Sequence, residues 1–367
     1  MHKHTMREPF LRISKRGSIA LPHAWGIRVS SVILAMILGA LFVVAVTGLN
    51  PLDVYASMYR GAFGTERNAW VTIREAMMLL CIGIGLAPAF KMKFWNIGAE
   101  GQVLVGAVCA AGLMIKIGAG LPNGLLLLLM AAAGMLGGAI WGIIPALFKA
   151  KWNSNETLFT LMMNYVAIQI TSYCVALWEN PRGSNKVGVI NQMNKAGWFP
   201  KLFGQDYLLN VILVLLLAVF MFVYLKYSKQ GFEIAVVGES TNTARYASIR
   251  ISRVYMRTMA LSGAICGLAG FIAVAGADYT ISTSTADGRG FTAIIVAWLA
   301  KFNTFVMILI SFLIVFLQRG ASEIASDFNL NEEASNVITG IILFCIIGSE
   351  FFINYKTRLN RRKEDAK

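Results

Sequence analysis

The sequence predicts an all-α, polytopic membrane protein of about ten transmembrane helices. Three observations carry that class. The 367-residue chain is 57% hydrophobic and 14% charged, whereas a soluble chain carries about 25% charged residues. The apolar residues stand in long unbroken runs, and the mean hydropathy is +0.62. No polar insertion is long enough to fold alone, so residues 29–353 read as one membrane domain between basic tails at 1–28 and 354–367.

The spans follow in order. The apolar run after the basic N-terminal tail is too long for a secretory signal and lacks a clear small-residue cleavage site, so 29–49 reads as a retained first span. The next are 72–90, 101–119, 124–148, 157–178, 207–226, 254–276, 290–300, 302–319 and 334–353. The eighth is short and poorly separated from the ninth. Gly134, Gly138 and Gly142 recur at four-residue spacing in the fourth span, as do Gly263 and Gly267, followed by Gly270, in the seventh. Small residues on one face let membrane helices approach closely.

Charge sets the orientation. With the N-terminus inside, 23 of the 33 Lys and Arg residues fall on cytoplasmic segments. Cytoplasmic loops of membrane proteins are enriched in these residues, so both termini are expected in the cytoplasm. The net charge of +14 is therefore read as topology and not as a nucleic-acid surface. Residues 50–71 are expected as a partly amphipathic outer segment and 179–206 as the longest outer loop. Arg74 and Glu75 are expected near the outer end of the second span, snorkelling to the interface. Asp278, Asp287 and Arg289 are expected to flank an outer loop.

The organising stretch is Phe94-Trp95-Asn96-Ile97-Gly98-Ala99-Glu100-Gly101-Gln102. Gly98 and Gly101 weaken a helix, while Asn96, Glu100 and Gln102 present groups that lipid rejects. Non-helical backbone at membrane depth is tolerated only inside protein or beside a wet cavity. One reading is a broken helix beside a solute path, as transporters build. The other is a short loop with Glu100 among headgroups. The longest inner loop, 227–253, offers Ser240, Thr241 and Asn242 as N-cap types, followed by one or two helical turns to Ile249. It reads either as a docking helix for a cytoplasmic partner, with Arg245 and Tyr246 making contacts, or as a surface helix packed on the membrane domain.

Other chemistries find little support. Cys81, Cys109, Cys174, Cys266 and Cys345 lie in or beside apolar runs without metal or disulfide spacing. His2, His4 and His23 all lie in the N-terminal tail, so no His-based catalytic or metal site is expected within the membrane. A membrane-embedded enzyme would further need a paired-carboxylate motif or nucleophile elbow, which the spans lack.

At these residues the chain resembles a known family. The stretch 94–102 looks like the F-N-I-G-A-E-G-Q signature of ABC importer permeases of the nucleoside and simple-sugar class, related to the branched-chain amino acid and ribose permeases. The inner loop resembles that family's coupling segment, roughly G-x-N-P-x-A-A-R-Y-A-G-I. Gly290-Phe291-Thr292-Ala293-Ile294-Ile295-Val296-Ala297-Trp298-Leu299 resembles its G-F-x-x-I-A-V-A-x-L stretch. Asn155-Glu156 with Thr160-Leu161-Met162-Met163-Asn164-Tyr165 resembles its N-E and T-L-M-x-N-Y pattern. The matches run in the family's order from about residue 70 to 350. Thr241, Thr243 and Ser248 stand where the family has Pro, Ala and Gly, and a Pro expected shortly after residue 300 is missing.

The resemblance implies a type II ABC importer-like permease bundle in the cell (plasma) membrane. It implies a second homologous permease subunit, an ABC ATPase subunit, and an extracellular or periplasmic substrate-binding lipoprotein as partners. The chain has no G-x-x-x-x-G-K-[ST] loop, so no cofactor is expected on it and ATP is expected on the partner ATPase. Trp95, Asn96, Glu100, Gln102, Asn164 and Tyr165 are the expected substrate-path residues. Gly238, Glu239, Ala244, Arg245, Tyr246 and Ile249 are the expected ATPase-coupling residues. Nucleosides are the expected solute, because a flat, neutral, hydrogen-bonding molecule suits carboxamides and aromatics. Ribose or another simple sugar is the alternative, and an ion-gradient-driven secondary transporter is a further one.

Overall fold

A computed structural model describes residues 11–16, 21–118, 120–329 and 332–359. Its elements are β1 (Leu11–Lys15), α1 (Leu21–Thr47), α2 (Pro51–Phe63), α3 (Glu66–Lys91), α4 (Ala99–Ile117), α5 (Asn123–Trp152), α6 (Glu156–Leu177) and α7 (Leu208–Tyr227). There follow α8 (Lys229–Glu239), α9 (Thr241–Tyr246), α10 (Ile251–Ala273) with a π-helical turn at Val274–Asp278, α11 (Arg289–Leu299), α12 (Thr304–Asp327), α13 (Glu332–Asn354) and β2 (Tyr355–Leu359). Each expected span has its helix. Among the described residues, eight helices are long and apolar enough to cross a membrane. Parts of both tails take structure that composition does not announce. β1 pairs antiparallel with β2, with Leu11 opposite Leu359, and α1 begins ahead of the expected first span. Residues 1–10, 17–20 and 360–367 of the tails lie outside the described residues.

The chain divides into two compact units, Met1–Gly64 with Phe316–Lys367, and Thr65–Val315. In the first unit, α1 lies against α13. α2 packs on the C-terminal part of α12 through a core that includes Val54, Met58, Leu317 and Ile324. Asn50 caps α2 by accepting from the Leu52 N–H, with Pro51 at the first helical position. Close approach needs small residues here: a Cβ on Gly61 would fall 2.4 Å from the Glu323 side chain. Ser57 donates to Asp327 at 2.6 Å.

In the second unit α10 is the hub, packed against α3, α4 and α5. The two glycine series face each other across α5 and α10. A Cβ on Gly138 would sit 2.1 Å from the Gly263 carbonyl oxygen, and one on Gly267 would sit 2.1 Å from that of Gly134. Gly106 of α4 meets Gly267 in the same way, so three helices share one close crossing. Van der Waals contact of this kind replaces the hydrophobic drive that lipid removes.

Two segments differ from the sequence expectation. Thr65 caps α3 through the Asn68 N–H, so the helix starts six residues before the expected span. Arg74 and Glu75 lie two turns inside it, with side chains 14% and 19% exposed and 3.3 Å apart. The Arg74 guanidinium stands 5.0 Å over the Tyr207 ring. Both residues are held by contacts within the protein. The eighth expected span is the 11-residue α11, roughly 16 Å long at 1.5 Å per residue, against a hydrocarbon core of about 30 Å. Its Ala293 and Val296 lie against Gly83 in the middle of α3. Its Trp298 and the following Phe302 meet Phe90 at the C-terminal end of α3. α11 is therefore a half-length helix covering only the C-terminal half of α3. The preceding residues 279–288, expected as a plain outer loop, run back to its buried start.

Candidate functional site

The break between α3 and α4 is built by local backbone choices. Pro88 lies inside the last turns of α3, and Lys93 adopts a left-handed φ of 58°. The Phe94 N–H reaches back to the Ala89 carbonyl at 3.0 Å. Gly98 opens α4 without a side-chain cap. Each backbone group freed by such a break must find a partner, and α6 and α10 supply them. The Ile97 N–H donates to Thr160 Oγ1 at 3.1 Å. Asn164 accepts the Gly101 N–H at 2.9 Å and donates to the Ile97 carbonyl at 2.9 Å.

Asn96 is fully buried. Its Oδ1 accepts the Gly98 N–H at 3.0 Å, and its Nδ2 donates to Ser262 Oγ on α10 at 3.2 Å. It also exchanges amide contacts with Gln102 at 3.3 Å. A side chain at either glycine would be crowded: a Cβ on Gly101 would come within 3.0 Å of Asn164 Oδ1, and one on Gly98 within 3.1 Å of Thr160.

Glu100 joins this network to α11. Its Oε1 accepts the Gly288 N–H and its Oε2 the Gly290 N–H, each at 2.8 Å. The carboxylate, 7% exposed, thus lies at the N-terminal end of its own helix and of α11. Both helix dipoles and two charge-assisted hydrogen bonds favour its negative charge there. Gly288 has φ +67°, and a Cβ on Gly290 would stand 2.5 Å from the Glu100 nitrogen.

Of the expected path residues, the structure brings together Asn96, Glu100, Gln102 and Asn164, and binds them to the protein itself. Trp95 and Tyr165 differ. Trp95 is 44% exposed and stacks on Trp298 at 5.2 Å between ring centroids. Tyr165, the residue after Asn164 on α6, is 60% exposed. Ser262, Gly288 and Trp298 complete the arrangement without having been singled out from the sequence. A Gly-Arg-Gly ahead of an apolar run too short to span was the available signal for Gly288.

The expected coupling residues lie on α8, α9 and the turn after them. Ser228 caps α8 through the Gly231 N–H and Ser240 caps α9 through the Thr243 N–H. The short helix thus begins at Thr241 and ends before Ile249, which donates its N–H to the Ala244 carbonyl at 2.9 Å. Ala244 is buried, whereas Glu239, Arg245 and Tyr246 are exposed. A Cβ on Gly238 would lie 2.0 Å from the Lys91 carbonyl oxygen. Glu233 and Arg257, 3.0 Å apart, tie α8 to α10. The coupling segment therefore rests on the last residue of α3, immediately ahead of the break.

At the other end of this unit, the loop between α6 and α7 is held by Trp198 stacked on Tyr279 at 3.9 Å. The Ile190 N–H donates to the Tyr279 carbonyl at 2.8 Å. Burial pushes the Tyr279 phenol up to about 12.

Residues 69–347 match the family model described as branched-chain amino acid transport system / permease component. Among curated proteins, a glucose ABC transporter permease of Haloferax volcanii is 28% identical over 97% of this chain and 96% of its own length. A guanosine ABC transporter permease of Bacillus subtilis is 30% identical, covering 87% of this chain and 92% of its own. A nucleoside ABC transporter permease of Lactococcus lactis is 27% identical, covering 86% and 88%. No solved structure matches the chain. A match across this share of the residues shows that the chain belongs to the permease component family of branched-chain amino acid transport systems.

Proposed function

We propose that this chain is the membrane-spanning subunit of an ATP-driven importer of nucleosides. It would be multi-pass in the cell membrane, with both termini in the cytoplasm. The observation that carries the reading is the contact of Gly238 with the Lys91 carbonyl. It links an exposed, capped helix to the break in the membrane bundle. A separate ATPase gripping Arg245 and Tyr246 would move α8 and α9, and a contact this close passes that motion to residues 93–98. The network of Asn96, Asn164 and Glu100 then carries it to α11 as a unit. A second permease subunit would complete the path, and an external binding lipoprotein would deliver the solute.

The nucleoside assignment draws on the guanosine and nucleoside permeases among the relatives and on the exposed rings of Trp95, Trp298 and Tyr165, which suit a flat base. The glucose permease among the relatives supports a sugar as the second reading. Uptake of labelled guanosine and uridine, with and without this gene, decides between them. Competition by nucleosides but not by ribose or glucose is the expected outcome. Competition by sugars alone would replace the solute. Uptake that follows the proton gradient without an ATPase would overturn the ATP-driven reading.

A further inference from the structure

The loop between α6 and α7 carries a two-residue hairpin turn at Leu202-Phe203-Gly204-Gln205. Leu202 and Gln205 exchange backbone hydrogen bonds at 3.2 and 2.9 Å, and Lys201 pairs with Asp206 at 2.8 Å behind them. Both central residues take a left-handed φ, +50° at Phe203 and +80° at Gly204. Such turns favour Asn, Asp or Gly, and a bulky residue there is an outlier. The Phe203 ring is also 94% exposed, so packing within the chain does not offset that strain. The turn is fixed on both sides. The buried Phe199 lies against Phe271 of α10 at 5.3 Å between ring centroids. Gln205 donates to the carboxylate of Glu66, the first residue of α3, at 3.0 Å. The chain thus holds an apolar ring outward in a rigid, strained mount, and backbone strain of this kind gathers at functional sites.

The level of the turn separates a protein partner from lipid. α7 has 20 residues, about 30 Å of helix, which matches the hydrocarbon core. Its start therefore marks the outer edge of that core, and Arg74 lies at this level, 5.0 Å over the ring of Tyr207. Glu66 stands ahead of Arg74 on α3, roughly 12 Å further out at 1.5 Å per residue. The headgroup layer is only about 5–7 Å thick, so the turn bonded to Glu66 lies beyond it, in water. We propose that Phe203 is the anchor on which the external protein that delivers solute docks, an inference that rests on the importer reading above. Interface hot spots are large side chains at the centre of a rim that excludes water, and here Lys201, Gln205, Asp206 and Glu66 supply the polar rim. A mount already ordered before binding lowers the entropy lost on docking. The partner surface that fits is an apolar pocket with polar groups around it.

Photo-crosslinking from p-benzoylphenylalanine placed at position 203 of the full chain, in whole cells, tests this. Mass spectrometry of the adduct should identify a secreted or lipid-anchored protein that, once purified, binds guanosine, uridine or glucose. A phospholipid adduct, an adduct with a second copy of this chain or with any other protein, or no adduct at all would overturn the proposal. Phe203→Asn separates docking from folding. Asn accepts a left-handed φ, so this variant should gain Tm. The purified binding protein should nonetheless bind the reconstituted transporter about thirtyfold more weakly, and uptake should fall with it. A ring kept for folding would give a lower Tm instead. Affinity and uptake equal to those of the parent would overturn the anchor and leave the importer reading standing. Failure of the importer reading shows separately, as a parent chain without ATP-dependent solute uptake.

Discussion

The carboxylate of Glu100 accepts the backbone N–H of Gly290 at 2.8 Å across 190 residues of sequence. Its other oxygen takes the Gly288 N–H, so one side chain holds the starts of two helices together. Glu100→Gln keeps the shape but turns one acceptor into an NH₂ facing a backbone donor. A hydrogen bond to a charged group contributes about 1.5–3 kcal/mol, and the variant is expected to lose about that much stability. Thermal unfolding of the purified chain and the yield of assembled transporter should both fall, while the order of preference among competing solutes stays the same. A reordered solute preference with normal assembly would assign Glu100 to solute contact instead.

Asn164 and Tyr165 are adjacent, one buried and the other exposed, and their substitutions should separate cleanly. Asn164→Ala leaves the Gly101 N–H and the Ile97 carbonyl without their 2.9 Å partner. Orphaned buried groups cost about 1–3 kcal/mol each, so folded yield and Tm should drop. Tyr165 is 60% exposed, and exposed substitutions are usually within about 0.5 kcal/mol. Tyr165→Ala should therefore leave Tm unchanged and raise the apparent KM for nucleoside uptake. An unchanged KM would remove Tyr165 from the path.

Gly238 is the contact point between the coupling segment and the break. Gly238→Ala would set a Cβ 2.0 Å from the Lys91 carbonyl oxygen, so α8 must lift away from α3. In the reconstituted transporter, ATP hydrolysis should continue while solute uptake per ATP falls severalfold. A proportional loss of both activities would mean that the substitution merely prevents assembly.

Hydropathy runs located the helices because lipid imposes a long apolar stretch on each full span. The glycine series of α5 and α10 was legible for a similar reason. Four-residue spacing puts small residues on one helix face, and Gly138 does meet Gly263. The half-length nature of α11 was not legible. The shortness of 290–300 was visible, but its buried start depends on Glu100, far away in sequence. The start of α3 was missed because hydropathy marks where a span becomes apolar, whereas the Thr65 cap marks where the helix begins. The carboxamides of Asn96, Gln102 and Asn164 were picked out by type, which is as far as a sequence goes. Whether such a group serves a solute or a broken backbone depends on what faces it, and here Thr160, Asn164 and Ser262 answer from other helices.

The stack of Tyr279 on Trp198 makes a pH prediction. Burial raises the Tyr279 phenol from its ordinary value of 10.0 to about 12. The folded chain then holds this proton over a range where the unfolded chain has released it. Stability falls with pH wherever the native state binds more protons. The contribution of the buried neutral phenol is therefore complete below pH 10 and is lost as pH rises from about 10 to about 12. Thermal unfolding between pH 8 and pH 11 should show a flat stretch and then a decline above pH 10. Tyr279→Phe keeps the ring and removes the titrating group, so its decline should be shallower than that of the parent. Identical slopes for the two proteins would show that the phenol is not held from solvent by the loop between α6 and α7.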